Sequence, residues 1–501
     1  MPRPSLAHVA AVAFFALVAF PRSAIPLIDG DVWWHIRAGA EVLSSGRIPD
    51  VDSWSIVSSG MPWTSQDWLS NVLLALVYGQ EQTSEVGATL ASLLYAAMVV
   101  AAFGLLWLAL DVRGARGWLG RVVWLTAGLI VAGPTIGVRV QVIDLALAAA
   151  TLLLLWGHMS DGRWRWLVGL PFIAVAWANL HAGWILLFLL GGAVVVGELV
   201  DRHWRVKSDA SVPRLVIALA VAAVAIAINP NGLDLYRYPF DSASITALRD
   251  YLAEWSPPDI GSIVGQLFAG FLVIGVIPAL VLRTRQMRTA DVLILLGLTV
   301  MAATAARFLL FVPLAAAIVC VAFDGSLDRS GVGSGVGHHV RRMADPARNI
   351  TLATANWVLI GLILVAAAAV TWVRVGPAAQ REAVAAHMPV SAVAWLLDHP
   401  VGERPFNTYS WGGYLGLHRP GLPVFIDGRA DIYGDAPIRE YARTVQLEVE
   451  PASTFERYAI DHVLFNAGTD LANWLDGSPA WERVFIDDVA GVWVRVPPES
   501  P

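Results

Sequence analysis

Eleven apolar segments, each about as long as a bilayer is wide, constrain this chain more than any other feature. A helix needs about 20 apolar residues to cross the hydrocarbon core. Only 15% of the 501 residues are charged and 56% are apolar, so the chain lacks the polar residues to cover a water-soluble protein of this size. The sequence therefore predicts a polytopic all-α membrane domain with spans at 4–21, 86–110, 118–134, 141–157, 165–179, 182–200, 213–229, 262–282, 289–304, 306–323 and 353–373.

Two features of these segments refine the prediction. The pairs 165–179/182–200 and 289–304/306–323 are short, and we expect them to be spans, kinked spans or re-entrant segments. The Arg and Lys residues of the loops fall mainly on alternate loops, starting with the N-terminus. Because positive loops stay in the cytoplasm, the N-terminus is predicted inside and the C-terminus outside.

Three segments are too polar for the membrane. We expect 27–85 to be a long outer loop with two interfacial helices, near 32–44 and from 65 onward, whose Trp residues lie at the membrane surface. The Gly/Ser/Arg-rich segment 324–350 is predicted as a cytoplasmic linker. Residues 375–501 follow the 1–374 membrane domain and are predicted as a small extracytoplasmic α/β domain, with strands at 423–429, 462–467 and 484–496 and helices at 435–447, 451–459 and 468–476.

Composition and motifs exclude several classes of function. A net charge of −6 predicts no basic face for nucleic acid. The single cysteine, Cys320, excludes an intramolecular disulfide and a cysteine metal cluster. The chain has no P-loop, GxGxxG, HExxH or GxSxG motif, which argues against an ATP-driven pump, a nicotinamide enzyme and the common hydrolases.

The outer loop 27–85 has the strongest candidates for chemistry. Asp29 and Asp31 follow the first span, and Asp31 and His35 are spaced i and i+4, on one face of a helix. Such a group at a membrane–water boundary can bind a divalent ion, Mg or Mn, or supply a general base for an acceptor hydroxyl. The structural alternative is that Asp31 only caps the helix and Asp29 is solvated.

Several motifs resemble the GT-C superfamily of integral-membrane glycosyltransferases, and in particular a large set of bacterial membrane proteins with a DxDxWWHIR-type opening. The matching motifs are Asp29-Gly-Asp31-Val-Trp33-Trp34-His35, Pro49-Asp-Val-Asp52-Ser-Trp54-Ser55, Pro62-Trp63 with Asp67-Trp68-Leu69, Val138-Arg139-Val-Gln141, Trp177-Ala-Asn179-Leu-His181, Asn229-Pro230, Glu254-Trp255, Arg307, Trp411-Gly412-Gly413-Tyr414 and Asp427-Gly428-Arg429.

This resemblance implies a GT-C-like fold in the bacterial cytoplasmic membrane and transfer of a sugar from a polyprenyl-phosphate donor to a glycan, lipid or protein acceptor outside. It places the catalytic acid on Asp29 or Asp31. The next outer loop, 134–140, lacks the second acidic motif of some superfamily members. If a metal is bound, the expected ligands are Asp31, His35 and His181.

Two arginines are expected to bind the donor phosphate. Arg139 and Arg307 lie at the outer ends of predicted spans, where a guanidinium can form a two-pronged contact with phosphate. The structural alternative is that both extend to the lipid headgroups. Weaker candidates for contact with an acceptor or in other roles are Asp52, Asp67, Asn179, Glu254, Asp427 and Arg429; Asn179 is also a possible helix cap, and Asp427 and Arg429 a possible ion-paired loop.

Two other functions compete with sugar transfer. One is a flippase or transporter for a lipid carrier, which needs polar residues at the middle of the membrane, where Asp144 is the main candidate. The other is a non-catalytic scaffold for envelope assembly, with the outer domain binding a partner.

Overall fold

A computed structural model describes residues 4–79, 84–204, 209–324 and 350–497, and all eleven predicted apolar segments are helical there. The predicted linker 324–350 lies almost entirely outside the described residues. The membrane-domain helices are Leu6–Ala13 continuing through Phe14–Ala19 and Phe20–Ser23, Glu85–Val112, Trp118–Ala132, Val142–Asp161, Gly169–Leu180, Ile185–His203, Val212–Ala225, Ile263–Phe271 continuing through Leu272–Val276 and Ile277–Leu282, Thr289–Thr304, Ala306–Phe311 with Val312–Ala322, and Ile350–Val375.

Six helical stretches in the described part of the chain can cross a membrane by length and apolar composition: Glu85–Val112, Trp118–Thr135, Val142–Asp161, Ala182–His203, Ile263–Leu282 and Leu352–His387. The other apolar helices are shorter. The molecule is thus a multi-pass membrane protein, while the number of eleven spans and the sides of the termini stay predictions.

Both short pairs of segments contain a break in the helix. His181 has extended backbone (φ −168°) between Gly169–Leu180 and the next helix. Ala305 is likewise extended (φ −154°), and the chain restarts as a 3₁₀ helix over Ala306–Phe311. A 3₁₀ stretch leaves backbone groups free of the α-helical pattern, and this one carries Arg307.

One buried charge within the helix bundle, Asp291, has two partners. Arg113 forms an ion pair with Asp291, and the other Asp291 oxygen accepts a hydrogen bond from Trp156 Nε1 at 2.9 Å. Because a lone charge in a low-dielectric interior is costly, these partners allow Asp291 to be buried.

The loop after the first helix forms the two expected surface helices, Asp31–Ser45 and Trp68–Tyr78, here called the first and second surface helix. Gly39 of the first touches the backbone of Asn71 in the second, so closely that a Cβ at position 39 would overlap the Asn71 carbonyl oxygen. Asp31 is not the helix cap: it is the first helical residue, and its N–H donates to Asp29 Oδ1 at 3.0 Å.

The C-terminal residues form a four-stranded sheet with surrounding helices. The strands are β1 (Pro405–Asn407), β2 (His462–Asn466), β3 (Trp481–Ile486) and β4 (Ala490–Arg495), in the order β1-β2-β4-β3, with only β1 and β2 parallel. The helices are Pro377–His387, Val390–Asp398, Gly412–His418, Ala430–Tyr433, Asp435–Val445, Pro451–Arg457 and Asp470–Gly477.

One predicted strand was wrong. Residues 423–429 are not in the sheet, because Val424 pairs instead with the outer loop: its N–H donates to Trp54 O, and Ile56 N–H donates to Val424 O, both at 2.8 Å. The predicted strand over 484–496 is two strands of a hairpin, β3 and β4.

The tryptophans of the outer loop also lie elsewhere than expected. Trp33, Trp34, Trp54 and Trp63 are buried inside the protein, with at most 7% of each residue exposed. Trp33 packs edge-on against Tyr414 of the C-terminal segment, with ring centroids 5.1 Å apart. The C-terminal residues therefore cover the surface that was predicted to face the membrane interface.

The close contact of the two surface helices predicts that adding one methyl group at position 39 lowers the stability of the protein. Gly39→Ala must push the helices apart, because the atoms it meets are backbone, and overpacking of this kind costs about 1–3 kcal/mol. We expect a lower unfolding temperature for the full chain in detergent. Gly104→Ala, where a Cβ meets nothing within 4 Å, is the matched control and should not lower it; equal melting of the two variants would contradict the packing described.

Candidate active site

The two acids that follow the first membrane helix are held in different ways. Asp29 forms an ion pair with Arg139, and its Oδ1 accepts the N–H of Asp31. Arg139 lies in the short loop between Trp118–Ala132 and Val142–Asp161, about 110 residues away in sequence. This ion pair thus joins the loop after the first helix directly to the loop that carries Arg139.

Arg139 joins a second acid to this pair. Its Nη1 lies 3.4 Å from Glu254 Oε2, with 32% and 39% of the two side chains exposed. Burial works against the charged guanidinium, but Asp29 and Glu254 outweigh it and raise the pKa of Arg139. Arg139 is therefore a charged, partly exposed side chain. Glu254, a weak candidate by sequence, belongs to this group.

Arg307 lies beside the same turn of chain. Its guanidinium carbon lies 4.1 Å from the centre of the Trp255 ring, and its Nη2 is 3.4 Å from Gln141 Oε1. The N–H of Ala306 donates to Ser256 O at 2.9 Å, which fixes the 3₁₀ helix against that turn. Arg139 contacts Glu254, and Arg307 contacts the next residue, Trp255. Arg307 also contacts Gln141, two residues after Arg139. The two arginines therefore lie close together.

Asp31 differs from Asp29 in having no bonded partner. Within the described residues its carboxylate makes no hydrogen bond or ion pair, although it is mostly enclosed. Burial raises its pKa well above the usual aspartate value, with Asp29, Glu254 and Asp427 adding to the rise and Arg139 opposing it. A carboxylate of raised pKa without a partner is a stronger base than an ordinary one.

The predicted metal ligands are not brought together. In the described parts of the chain, no three or more His, Cys, Asp or Glu side chains are grouped so as to hold a metal ion. His35 Nδ1 lies 2.6 Å from Asn71 Oδ1, and His181 Nδ1 lies 2.7 Å from Asp144 Oδ2. The Nδ1 atoms of His35 and His181 thus face different partners, and binding of a metal ion stays a prediction.

Asp67 and His35 form a separate buried pair between the surface helices. Asp67 Oδ2 lies 3.3 Å from His35 Nδ1, and Asn71 Nδ2 donates to Asp67 Oδ1 at 3.1 Å. Burial lowers the pKa of His35 to about 3 and raises the pKa of Asp67 to about 6. His35 is therefore a neutral structural donor at physiological pH.

Asn179 ties the break in the membrane helix to its neighbours. Its side-chain amide donates to the carbonyls of Val175 and Ile228, both at 2.8 Å, and its Oδ1 accepts from Trp68 Nε1 at 3.0 Å. These contacts satisfy the whole side chain and match the structural alternative for this residue.

Asp52, Asp427 and Arg429 form one fully buried ionic cluster. Arg429 Nη1 lies 2.9 Å from Asp52 Oδ1, Nη2 lies 2.9 Å from Asp427 Oδ2, and 2% or less of each side chain is exposed. The guanidinium carbon packs against both Trp54 and Trp63, 4.4 and 4.7 Å from the ring centres. Two carboxylates share one guanidinium, and because all three side chains are buried, they do not face an acceptor directly.

Sequence reasoning missed two neighbours of Asp31. Tyr409 has a raised pKa, caused by burial and then by the negative charges of Asp31 and its neighbours, so its phenol lies near that acid. Gly428 packs so closely that a Cβ there would overlap Asp31 Oδ1. Gly428 belongs to the Asp-Gly-Arg motif that the sequence analysis identified, although its contact with Asp31 was not predicted. No motif in the sequence points to Tyr409.

An apolar pocket of about 520 Å³ lies elsewhere, between the first membrane helix, Glu85–Val112 and Ile350–Val375. Phe15, Phe20, Val100 and Leu364 are among the residues that line it. None of the predicted site residues does so.

Comparison with solved structures identifies the fold. The chain is similar to ArnT from Cupriavidus metallidurans bound to undecaprenyl phosphate, with a TM-score of 0.55, 15% identity and coverage of 97% of this chain and 98% of that one. The apo state of the same protein gives a TM-score of 0.51 at 16% identity with the same coverage. A third similar structure is the arabinofuranosyltransferase AftD from Mycobacteria, with a TM-score of 0.44 and 13% identity. That match covers 100% of this chain and 40% of the AftD chain.

The chain therefore has a GT-C-type fold, as its motifs predicted, with the helical membrane region and small C-terminal sheet in one chain. No protein-family model and no curated protein matches the sequence.

The raised pKa of Asp67 predicts a pH dependence of stability. A carboxyl whose pKa is higher in the folded than in the unfolded state stabilises the fold at low pH, and this contribution is lost as pH rises through the folded value. Between pH 4 and 7, about 3 kcal/mol depends on this group. Asp67→Asn should flatten the decline of the unfolding temperature from pH 5 to 7.5, while Asp50→Asn on the exposed part of the same loop should retain it; identical pH profiles for all three proteins would refute the assignment.

Proposed function

We propose that this protein is a membrane glycosyltransferase that moves a sugar from a polyprenyl-phosphate donor to an acceptor hydroxyl on the extracytoplasmic side. The observation that carries the proposal is the contact of Asp29 with Arg139 beside the partner-free Asp31. The fold it shares with ArnT, which was solved with undecaprenyl phosphate, supports a lipid-phosphate donor. The location of the C-terminal domain outside the cytoplasm is part of this proposal.

Asp31 is proposed as the general base. Its carboxylate takes the proton of the acceptor hydroxyl as the hydroxyl oxygen bonds to the anomeric carbon of the sugar. The bond between that carbon and the phosphate oxygen breaks, and the electron pair leaves with the phosphate. Attack opposite the leaving group inverts the anomeric centre. Asp29, neutralised by Arg139, holds the Asp31 backbone instead of reacting.

Arg139 and Arg307 are proposed to bind the donor phosphate. Negative charge grows on the phosphate as the sugar leaves, and fixed cations stabilise that charge without reorganisation. Arg307 has only a long contact to Gln141 and a ring contact to Trp255, so it can turn to an anion. No step of this scheme needs a metal ion; dependence on Mg or Mn stays a prediction for assay.

The base assignment predicts a large loss of transfer. With the full chain in nanodiscs, a panel of undecaprenyl-phosphate-linked hexoses and pentoses and bacterial envelope fractions as acceptors, Asp31→Asn should lower transfer by roughly 10²–10⁴-fold. Binding of undecaprenyl phosphate should remain, and so should the unfolding temperature. Asp50→Asn is the matched control and should act like the wild type. Unchanged transfer by Asp31→Asn would exclude the assignment, and lipid transport without transfer by the wild type would favour a flippase.

The phosphate assignment predicts weaker binding of the lipid carrier. Loss of one charged hydrogen bond costs about 1.5–3 kcal/mol, so Arg307→Gln and Arg139→Gln should each weaken the binding of undecaprenyl phosphate about 10- to 100-fold. Arg237→Gln, on the exposed outer loop, is the control and should bind normally. Normal binding by both site variants in a fluorescence or native mass-spectrometry titration would disprove the assignment.

A further inference from the structure

The C-terminal domain supplies part of the wall around Asp31. Gly428 touches the Asp31 carboxylate, and a Cβ there would overlap it. Gly30, between the two first-loop acids, lies against the Ser410 carbonyl with no room for a Cβ. The turn that carries both acids is therefore enclosed by two separate stretches of the C-terminal domain.

Arg429 fixes the stretch that carries Gly428. Its side chain reaches back to Asp427, with Nε 3.0 Å from both carboxylate oxygens, and forward to Asp52 of the outer loop. Tyr433 OH donates to Asp427 Oδ1 at 2.6 Å. We call the linked side chains of Asp427, Arg429 and Asp52 the clamp. Gly428 stands in sequence between Asp427 and Arg429, which these contacts hold in place, so its backbone has little freedom to move away from Asp31.

Asp52, the outer-loop residue of the clamp, has hydrogen-bond partners besides Arg429. Asp52 accepts hydrogen bonds from the Ser55 hydroxyl, from the Ser58 hydroxyl at 2.8 Å and from the Trp54 N–H at 3.0 Å. A buried ionic cluster is a poor source of net stability, since desolvation offsets most of its attraction. Its geometry, in contrast, is highly specific, because each group must meet a fixed partner.

We propose that the segment 427–429 is a positioning element of the transferase site. Arg429, held by Asp52 and Asp427, keeps the Gly428 backbone against the Asp31 carboxylate and so orients that carboxylate toward the acceptor hydroxyl. The C-terminal domain thus takes part in sugar transfer but not in binding of the lipid carrier. This inference rests on the proposed function.

Two variants test the positioning role in the full chain in nanodiscs. Gly428→Ala places a methyl group where the Asp31 oxygen lies, and a displacement of about 1 Å at a reacting group can cost about 10²-fold in rate. Arg429→Lys keeps the charge but loses the fork that spans two carboxylates. Both should lower kcat by at least 10-fold, with Gly428→Ala the more severe, while KM for the lipid-linked donor and the binding of undecaprenyl phosphate change less than 3-fold.

Gly477→Ala, in the same domain and with no atom within 4 Å of the added methyl, is the matched control and should retain wild-type kcat. If Gly428→Ala and Arg429→Lys fold and transfer at wild-type rates, the inference is wrong. Loss of the melting transition in both variants means that the cluster serves stability and also overturns it. A wild-type chain that transfers none of the tested sugars refutes the proposed function instead, so the two failures are distinguishable.

Discussion

The ion pair between Asp29 and Arg139 is the interaction on which the arrangement of the site depends. It joins the end of the first membrane helix to the loop before Val142–Asp161, and it neutralises an acid whose other oxygen holds the Asp31 N–H. Without a cation there, two neighbouring carboxylates and Glu254 would repel one another in a mostly enclosed space. With it, Asp31 is left as the one acid of this group without a bonded partner among the described residues, and the two acids acquire different chemical roles.

A second constraint is the contact of the C-terminal domain with the outer loop. Four tryptophans of that loop are buried, and Val424 pairs with backbone on both sides of Ser55. Arg429 packs against two of the indole rings and reaches Asp52. Further contacts attach the loop 233–260: Ala247 N–H donates to Asp435 Oδ1 at 2.7 Å. The proposed site at the membrane boundary thus lies beneath the C-terminal residues, which also contribute to its walls.

Much of this architecture could be predicted from the sequence. Apolar length and period marked every membrane helix, and the cost of charge at depth pointed to Arg139 and Arg307 as functional. Arg139 does contact a first-loop acid, Asp29, while the function of both arginines stays a prediction. A local sequence pattern does not show which distant segment a stretch of chain will pair with. The short apolar run within 423–429 indicated a strand, but the chain pairs there with the outer loop. The tryptophans expected at the lipid interface are covered by residues nearly 380 positions away.

Long-range contacts also decided the histidines and the weaker candidates. His35 and His181 were expected to be ligands of one metal ion, yet their Nδ1 atoms lie beside different partners, Asn71 and Asp144. The sequence offered Asp427 and Arg429 as an ion-paired loop, but only the structure shows that Asp52 of the outer loop contacts the same buried arginine. Gln141 and Trp255 stood inside the recognised motifs without a role, because their value lies in contacting Arg307 from two separate loops.

The proposed site is tested most directly by a cryo-EM structure of the full chain in nanodiscs with undecaprenyl phosphate. We expect density for the phosphate in contact with both Arg139 and Arg307, on the side of the protein where Asp31 lies, with the prenyl chain extending into the bilayer. A phosphate bound elsewhere, with Arg139 still paired only to Asp29 and Glu254 and packed side chains separating it from Arg307, would contradict the proposed site.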